Sequence, residues 1–415
     1  MSPPHAADRR RPHLVPADLE SRPDPYPFFR QLRETGRLQP VVVAGGLEAS
    51  LVTRHEDVVT GLLTRGLSRD PRNARDAFAA TDGYADGREH IFERTLFSSD
   101  PPAHTVSRRL VAGAFAARNI DLLRPKVRAT AEDLLDRLAT RPEIDVMSDY
   151  AVPLAVAAIG DLLGIPASDR SMVSRWQRDL DVPPVDSRSA AVAFEASTAI
   201  GAYLQDLMRY RRGYPVNDLL SELAAVGRDK SLRGDVMAGA QTLLVVGHTA
   251  TASLIATSIV HLVARPSGLH SVGTSPPRTA QFIEEVLRYD APVLLGPFRY
   301  ATADLQLAGS RVPSGGVVIL CIASANRDPV RFGDPDSFRP DRRPNGHLTF
   351  GRGVHACLGS SLARMIAQTA VGALATRFPE ARLRGEPSAL RWRFSQVRCL
   401  EAVPLILVPA GAPRP

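Results

Sequence analysis

Between Arg233 and Arg265 the chain carries its longest apolar segment, running from about Gly234 to Val263 and rich in Ala, Leu, Ile and Val. Such a run can satisfy its backbone as a helix across a bilayer or as a helix at the centre of a protein. Gln241, Thr242, His248, Thr249, Thr251 and Ser253 interrupt it, and each needs a hydrogen-bond partner that lipid does not supply. A buried central helix is therefore expected, with no membrane span. No continuous apolar stretch follows the N-terminal arginines, so neither a signal peptide nor an anchor is expected, and the expected location is cytoplasmic.

The remaining pattern surrounds that helix with others. Helical spacing begins at Tyr26 and recurs over His55–Leu63, from Asp100-Pro101-Pro102 onward with the prolines in the first turn, and over Ile120–Leu138, Val146–Leu163, Asp169 to about Asp181, Ala190–Arg211 and Gln281–Tyr289. Pro183-Pro184 breaks the pattern between two of these. Leu38–Val43 and Ser50–Thr53 read as a hairpin across Gly45-Gly46, Leu305–Leu307 and Val317–Ile322 as strands, and Leu390–Val408 as a terminal hairpin. Ser68–Ser99 is polar and irregular, the mark of a functional or mobile loop. The expected fold is mainly α, one helix-rich domain over residues 13–408 with small peripheral sheets and disordered tails at 1–12 and 409–415.

Charge and cysteine usage narrow the partners. The net charge of +7 is almost wholly arginine, since Lys126 and Lys230 are the only lysines. Beyond Arg9-Arg10-Arg11 there is no basic run and no interleaved aromatic platform, which argues against nucleic acid. An acidic protein or acidic cofactor groups suit these arginines better. Three cysteines, Cys321, Cys357 and Cys399, do not make a secreted disulfide framework.

One cysteine stands apart. Cys357 lies in Phe350-Gly351-Arg352-Gly353-Val354-His355-Ala356-Cys357-Leu358-Gly359, a Gly-bounded loop ahead of a helix expected from Leu358 to about Phe378. The glycines leave room for a flat cofactor and for backbone N–H groups aimed at sulfur, and the helix N-terminus adds partial positive charge. With no second cysteine or histidine at zinc spacing, a single axial ligand to haem is favoured over a zinc site.

The decapeptide fills every fixed position of F-G-x-G-x-H-x-C-x-G, and here the sequence resembles the cytochrome P450 family. The resemblance implies haem b (iron protoporphyrin IX) held by an axial Cys357 thiolate between the central helix and the helix after the Cys loop, with Phe350 and Gly351 against the cofactor. Glu285 and Arg288 match the family's E-x-x-R and Arg342 its meander arginine, all three structural. His104, Arg108, Arg299 and His355 match positions that hold haem propionates.

The central helix departs from the family pattern of small-Gly-x-acid-Thr. Val246 replaces the small residue, Thr249 the acid and Ala250 the alcohol, so that only Gly247 is retained. The usual pair for proton delivery is absent. Thr249, Thr251 or His248 can stand in, as can a hydroxyl or amine of the substrate; alternatively these side chains merely bond to the carbonyl one turn back.

The resemblance implies a monooxygenase that inserts one atom of O₂ into a small organic substrate by hydroxylation or epoxidation, as in natural-product tailoring. Electrons would come from a ferredoxin and its reductase, met by arginines including Arg352 and Arg364, and the enzyme would be a monomer. Oxidative ring coupling and a peroxide-driven oxidase are the alternative chemistries, and a non-catalytic haem-binding sensor or scaffold the alternative of another class. Arg72–Phe97, Val182–Phe194 and Leu294–Phe298 fall where the family recognises substrates.

Overall fold

The computed structural model describes residues 19, 22–43, 46–79, 95–180, 187–265, 268–273, 275–394 and 397–408. Both tails, the Pro183-Pro184 break, Gly45 and parts of the expected substrate segments lie outside the described residues.

The apolar run folds as a core element, but in two pieces: helices Arg233–Val246 and Thr249–Val263, interrupted at Gly247-His248. It and Val146–Leu163 are long and apolar enough to cross a membrane, yet 72% and 61% of their apolar windows are buried inside the protein. Residues on all sides of Thr249–Val263 are buried, including Leu254, Ile255, Ala256 and Ile259. Ser360–Arg377 packs against it and against Ala117–Leu138 and Pro276–Tyr289. The helix before it, Ala103–Ala112, lies beside Arg233–Val246. These helices form the main core.

Helix boundaries depart from the expected ones for local reasons. Pro276-Pro277 opens the helix expected from Gln281, because proline is tolerated where the first N–H groups have no partner. Pro102 precedes Ala103–Ala112 as its N-cap, so the prolines stand just ahead of the first turn. Leu219–Val226 and Gly268–Gly273 form two further short helices that periodicity did not show.

A second, smaller layer is a five-stranded sheet in the order Leu38–Val42, Glu48–Val52, Val317–Leu320, Arg299–Ala301, Leu67–Ser68. Glu48–Val52 and Val317–Leu320 run parallel, with Ser50 opposite Val318, and the other pairs are antiparallel. Pairing of Ser68 with Tyr300 brings residue 69 beside Arg299, far away in sequence. The C-terminal tail is only partly the hairpin expected. Trp392–Phe394 pairs with Arg398–Leu400, but Pro404–Ile406 joins Glu143–Asp145 and Arg382–Leu383 in another sheet. Arg398 clasps distant segments: its guanidinium donates to Asp290 at 2.5 Å and to the Pro23 carbonyl at 2.7 Å, and its carbonyl accepts from the Ser253 hydroxyl at 2.6 Å.

Candidate active site

The Cys loop is bent by two left-handed glycines, Gly351 at φ +67° and Gly353 at φ +76°, a conformation that costs other residues energy. Leu348 and Phe350 carbonyls accept the Gly351 and Cys357 N–H groups at 2.7 and 2.8 Å. The loop ends at Gly359, and Ser360–Arg377 begins there. Cys357 is exposed at the loop's open face. Protein crowds its other sides, so burial pushes the thiol pKa up, while the Gly359 N–H and the Arg108 and Arg364 charges pull the other way.

Beneath the loop, Arg288 grips Glu285 with two parallel bonds of 2.9 and 2.7 Å, both side chains fully buried. The remaining Arg288 donors reach the carbonyls of Asn326, Pro335 and Ser337. Glu285 also accepts from the Arg339 N–H at 2.7 Å, Arg342 Nε at 3.3 Å and Asn345 Nδ2 at 3.2 Å. A buried pair is stable only when its remaining polar atoms are partnered, and here they are. Arg364 is half-buried: its guanidinium pairs with Glu284 at 2.6 and 3.0 Å and lies over Phe350.

Beside the loop basic groups collect, one of them, His355, from the loop itself. His104 and His355 rings lie 4.2 Å apart, and Arg108 donates to the Ala356 carbonyl at 2.7 Å. Arg299 is 5% exposed and reaches only the Leu67 carbonyl, at 3.4 Å. Sequence reading missed Arg69 and Asp100 here. Arg69 carries no motif, and it arrives through the strand pairing. Asp100 was legible only as a helix-opening residue. Burial works to raise the Asp100 carboxyl, but His355, the Ser68 hydroxyl and the Arg69 N–H together hold it at about 2. Burial, then the charges of His355, Arg108 and Arg69, press the His104 pKa down to about 4.

The central helix turns a different face to each side of its break. Val246 is 38% exposed although its helix runs through the protein, and Ala250 is half-buried. Thr251 is buried, and its hydroxyl donates to the Gly247 carbonyl at 3.2 Å, the bond one turn back. His248 is 4% exposed, lines a cavity with Gln177 and Leu244, and places Nε2 3.1 Å from Thr249 Oγ1.

A cysteine loop with a helix N-terminus behind it, beside arginines and unpartnered histidines within a helix-rich fold, suits an anionic cofactor that takes a thiolate ligand. A family model described as Cytochrome P450 matches residues 276–386. Cytochrome P450 107B1 of Saccharopolyspora erythraea is 37% identical over 407 residues, covering 95% of this chain and 98% of that protein. Mycinamicin IV hydroxylase/epoxidase of Micromonospora griseorubida is 35% identical over 389 residues, 90% and 95% of the two chains. The P450 monooxygenase TamI, solved with tirandamycin C bound, superposes with a TM-score of 0.83 at 33% identity, covering 96% of this chain and 100% of that one. The chain belongs to the cytochrome P450 family and is an oxidoreductase of the monooxygenase type.

Membership implies a haem with a thiolate ligand, and the residues present fit it. Both ring nitrogens of His104 and Nε2 of His355 are buried without hydrogen-bond partners. The nearest carboxylate to His355 Nε2, Asp100, is 3.5 Å away, beyond a sound hydrogen bond. Unpartnered donors beside Arg69, Arg108 and Arg299 form a site that an anionic group completes.

Proposed function

We propose that this single-domain enzyme, residues 13–408, uses haem b to insert one atom of O₂ into a small organic natural-product precursor by hydroxylation or epoxidation. The observation that carries this reading is the pairing of an exposed Cys357 with buried, unpartnered His104 and His355 nitrogens around one loop. Cys357 would ligate the iron; His104, Arg108, Arg299 and His355, joined by Arg69, would hold the propionates; Phe350 and Gly351 would back the ring. The bound haem-thiolate supplies oxygen activation, since thiolate donation favours O–O cleavage.

The chain's own residues shape what meets that centre. Val246 and Ala250 offer an apolar face to the substrate, with Gly247 between them and no side-chain hydroxyl at position 250. Candidate proton donors are Thr249, His248, Thr251 once released from the Gly247 carbonyl, and a hydroxyl or amine of the substrate. The natural-product class is supported by the names of the relatives, a mycinamicin hydroxylase/epoxidase and a monooxygenase that binds tirandamycin C. Electrons come from a separate ferredoxin and reductase, and the enzyme works as a cytoplasmic monomer.

The test is a carbon monoxide difference spectrum of the purified protein, followed by turnover of a macrolactone panel. A surrogate ferredoxin system with NAD(P)H is compared with hydrogen peroxide alone. A thiolate-type spectrum and oxygenated product with the ferredoxin system are expected. Product with peroxide alone would move the enzyme to the peroxide-driven class, and a normal spectrum with no product under either condition would favour a sensor.

A further inference from the structure

The loss of acid and alcohol at positions 249 and 250 leaves open what orders a proton donor on this helix. The cavity on the far side of the helix break holds the answer. It is lined by Gly160, Arg170, Gln177, Leu244 and His248 and has room for about one water molecule. Two of its side chains are buried and incompletely bonded: His248 at 4% and Gln177 at 2% exposure. His248 Nδ1 and Gln177 Oε1 have no hydrogen-bond partner. Gln177 Nε2 is committed to the Leu244 carbonyl, which fixes its amide with the oxygen as the group left over.

We propose that one water, bound between Gln177 Oε1 and His248 Nδ1, sets the His248 tautomer and thereby commits the Thr249 hydroxyl to donate away from His248, which makes His248 and Gln177 positioning residues for the proton supply. Two orientations of that water are open, and the assignment rests on which one uses both of its hydrogens: accepting from an Nδ1–H would leave one water hydrogen without an unpartnered side-chain acceptor among the described residues lining the cavity. Gln177 Oε1 can only accept, so it takes one water hydrogen. The second water hydrogen goes to Nδ1, which then carries no proton, and the ring proton sits on Nε2. Nε2–H donates across the 3.1 Å contact to Thr249 Oγ1. With its oxygen accepting from His248, Thr249 turns its own hydrogen to its other neighbours. Burial, with the Arg178 charge adding to it, pushes the His248 pKa down to about 4, so the ring is neutral at neutral pH and has a tautomer to set. Arg170, which lines the same cavity, is held by Asp161 at 2.6 Å.

The water site stands on two unpartnered buried atoms lining one cavity; its purpose rests on the monooxygenase reading above. The experiment uses the haem-loaded enzyme in its diamagnetic ferrous carbon monoxide form, whose spectrum independently reports thiolate ligation. Nitrogen-15 NMR of histidine-labelled protein is expected to show His248 as the pure Nε2–H tautomer, and a crystal structure of the same form an ordered water touching Gln177 and His248. Gln177→Met removes the acceptor at similar volume and should abolish both the water and the single-tautomer pattern. Gln177→Glu, protonated when buried, keeps an acceptor and a donor and should preserve both. In the Met variant a larger share of NAD(P)H should end as hydrogen peroxide. An Nδ1–H or protonated His248 in the wild type, a cavity without water, or an unchanged tautomer in Gln177→Met would overturn the proposal. If Gln177→Met fails to fold, the wild-type tautomer and water decide it. A thiolate-type spectrum with the wrong tautomer rejects the water site and leaves the family chemistry standing.

Discussion

The two sides of the cofactor opening are built on opposite rules. Beneath the Cys loop, Glu285 is saturated by Arg288, Arg342, Asn345 and a backbone N–H. Beside the loop itself, His104 and His355 keep unpartnered nitrogens, and among the described residues Arg299 makes a single long hydrogen bond. Saturated networks fix a shape, and unsaturated ones wait for a guest. The contrast explains why the same residue types, arginine and histidine, are scaffold on one side and binding groups on the other.

The severest way to break this contrast is at the metal ligand itself. Cys357→Ser should keep the far-UV dichroism of the parent but lose the thiolate-type carbon monoxide spectrum and essentially all product formation, because an alcohol cannot match thiolate donation. Next in size is the saturated side. Glu285→Ala leaves Arg288 charged and buried without its carboxylate, a loss of about 3–5 kcal/mol that urea denaturation and haem content should both register. A near-normal denaturation midpoint would show that the network is not the scaffold described.

The unsaturated side should respond differently, through the guest more than through the fold. Arg299→Ala and His104→Ala should each weaken haem retention by about 1.5–3 kcal/mol, read as faster transfer to apomyoglobin, with denaturation of the haem-free protein nearly unchanged. Equal losses in haem-free stability would erase the distinction between the two sides.

A pH titration sharpens it further. His248 has a folded pKa near 4 against about 6.5 when unfolded, so the unfolded chain takes up the proton first. Stability is full above pH 6.5 and falls as pH drops toward 4, by about 2 kcal/mol at pH 5 from this residue. His248→Leu should flatten that decline, measured by denaturant midpoints between pH 7 and 5.

What the sequence showed and hid follows from the range of the interactions. The Cys loop and the Glu285–Arg288 pair are local, held by glycines and a three-residue spacing, and they were readable as written. So was the helix-rich layout, because its apolar periodicity is strong. The break at Gly247-His248 was hidden because the polar residues in the apolar run read as hydrogen-bonding positions of one continuous helix. Arg69 was hidden because only a strand pairing across more than two hundred residues brings it to Arg299. The pairing of Arg364 with Glu284 was hidden too, because a lone arginine in sequence does not reveal its partner. Pro404–Ile406 alternates like a hairpin arm, yet its neighbour lies at Glu143–Asp145.

The clasp at Arg398 bears on how the chain is made. Asp290 is largely shielded from solvent, and Arg398 adds its charge to the Tyr26 and His261 bonds there, while the same guanidinium holds the Pro23 carbonyl. Until residue 398 has been made, Asp290 has only the Tyr26 hydroxyl and His261 as side-chain partners, so the end of helix Pro276–Tyr289 reaches its full hydrogen bonding only with that late segment in place.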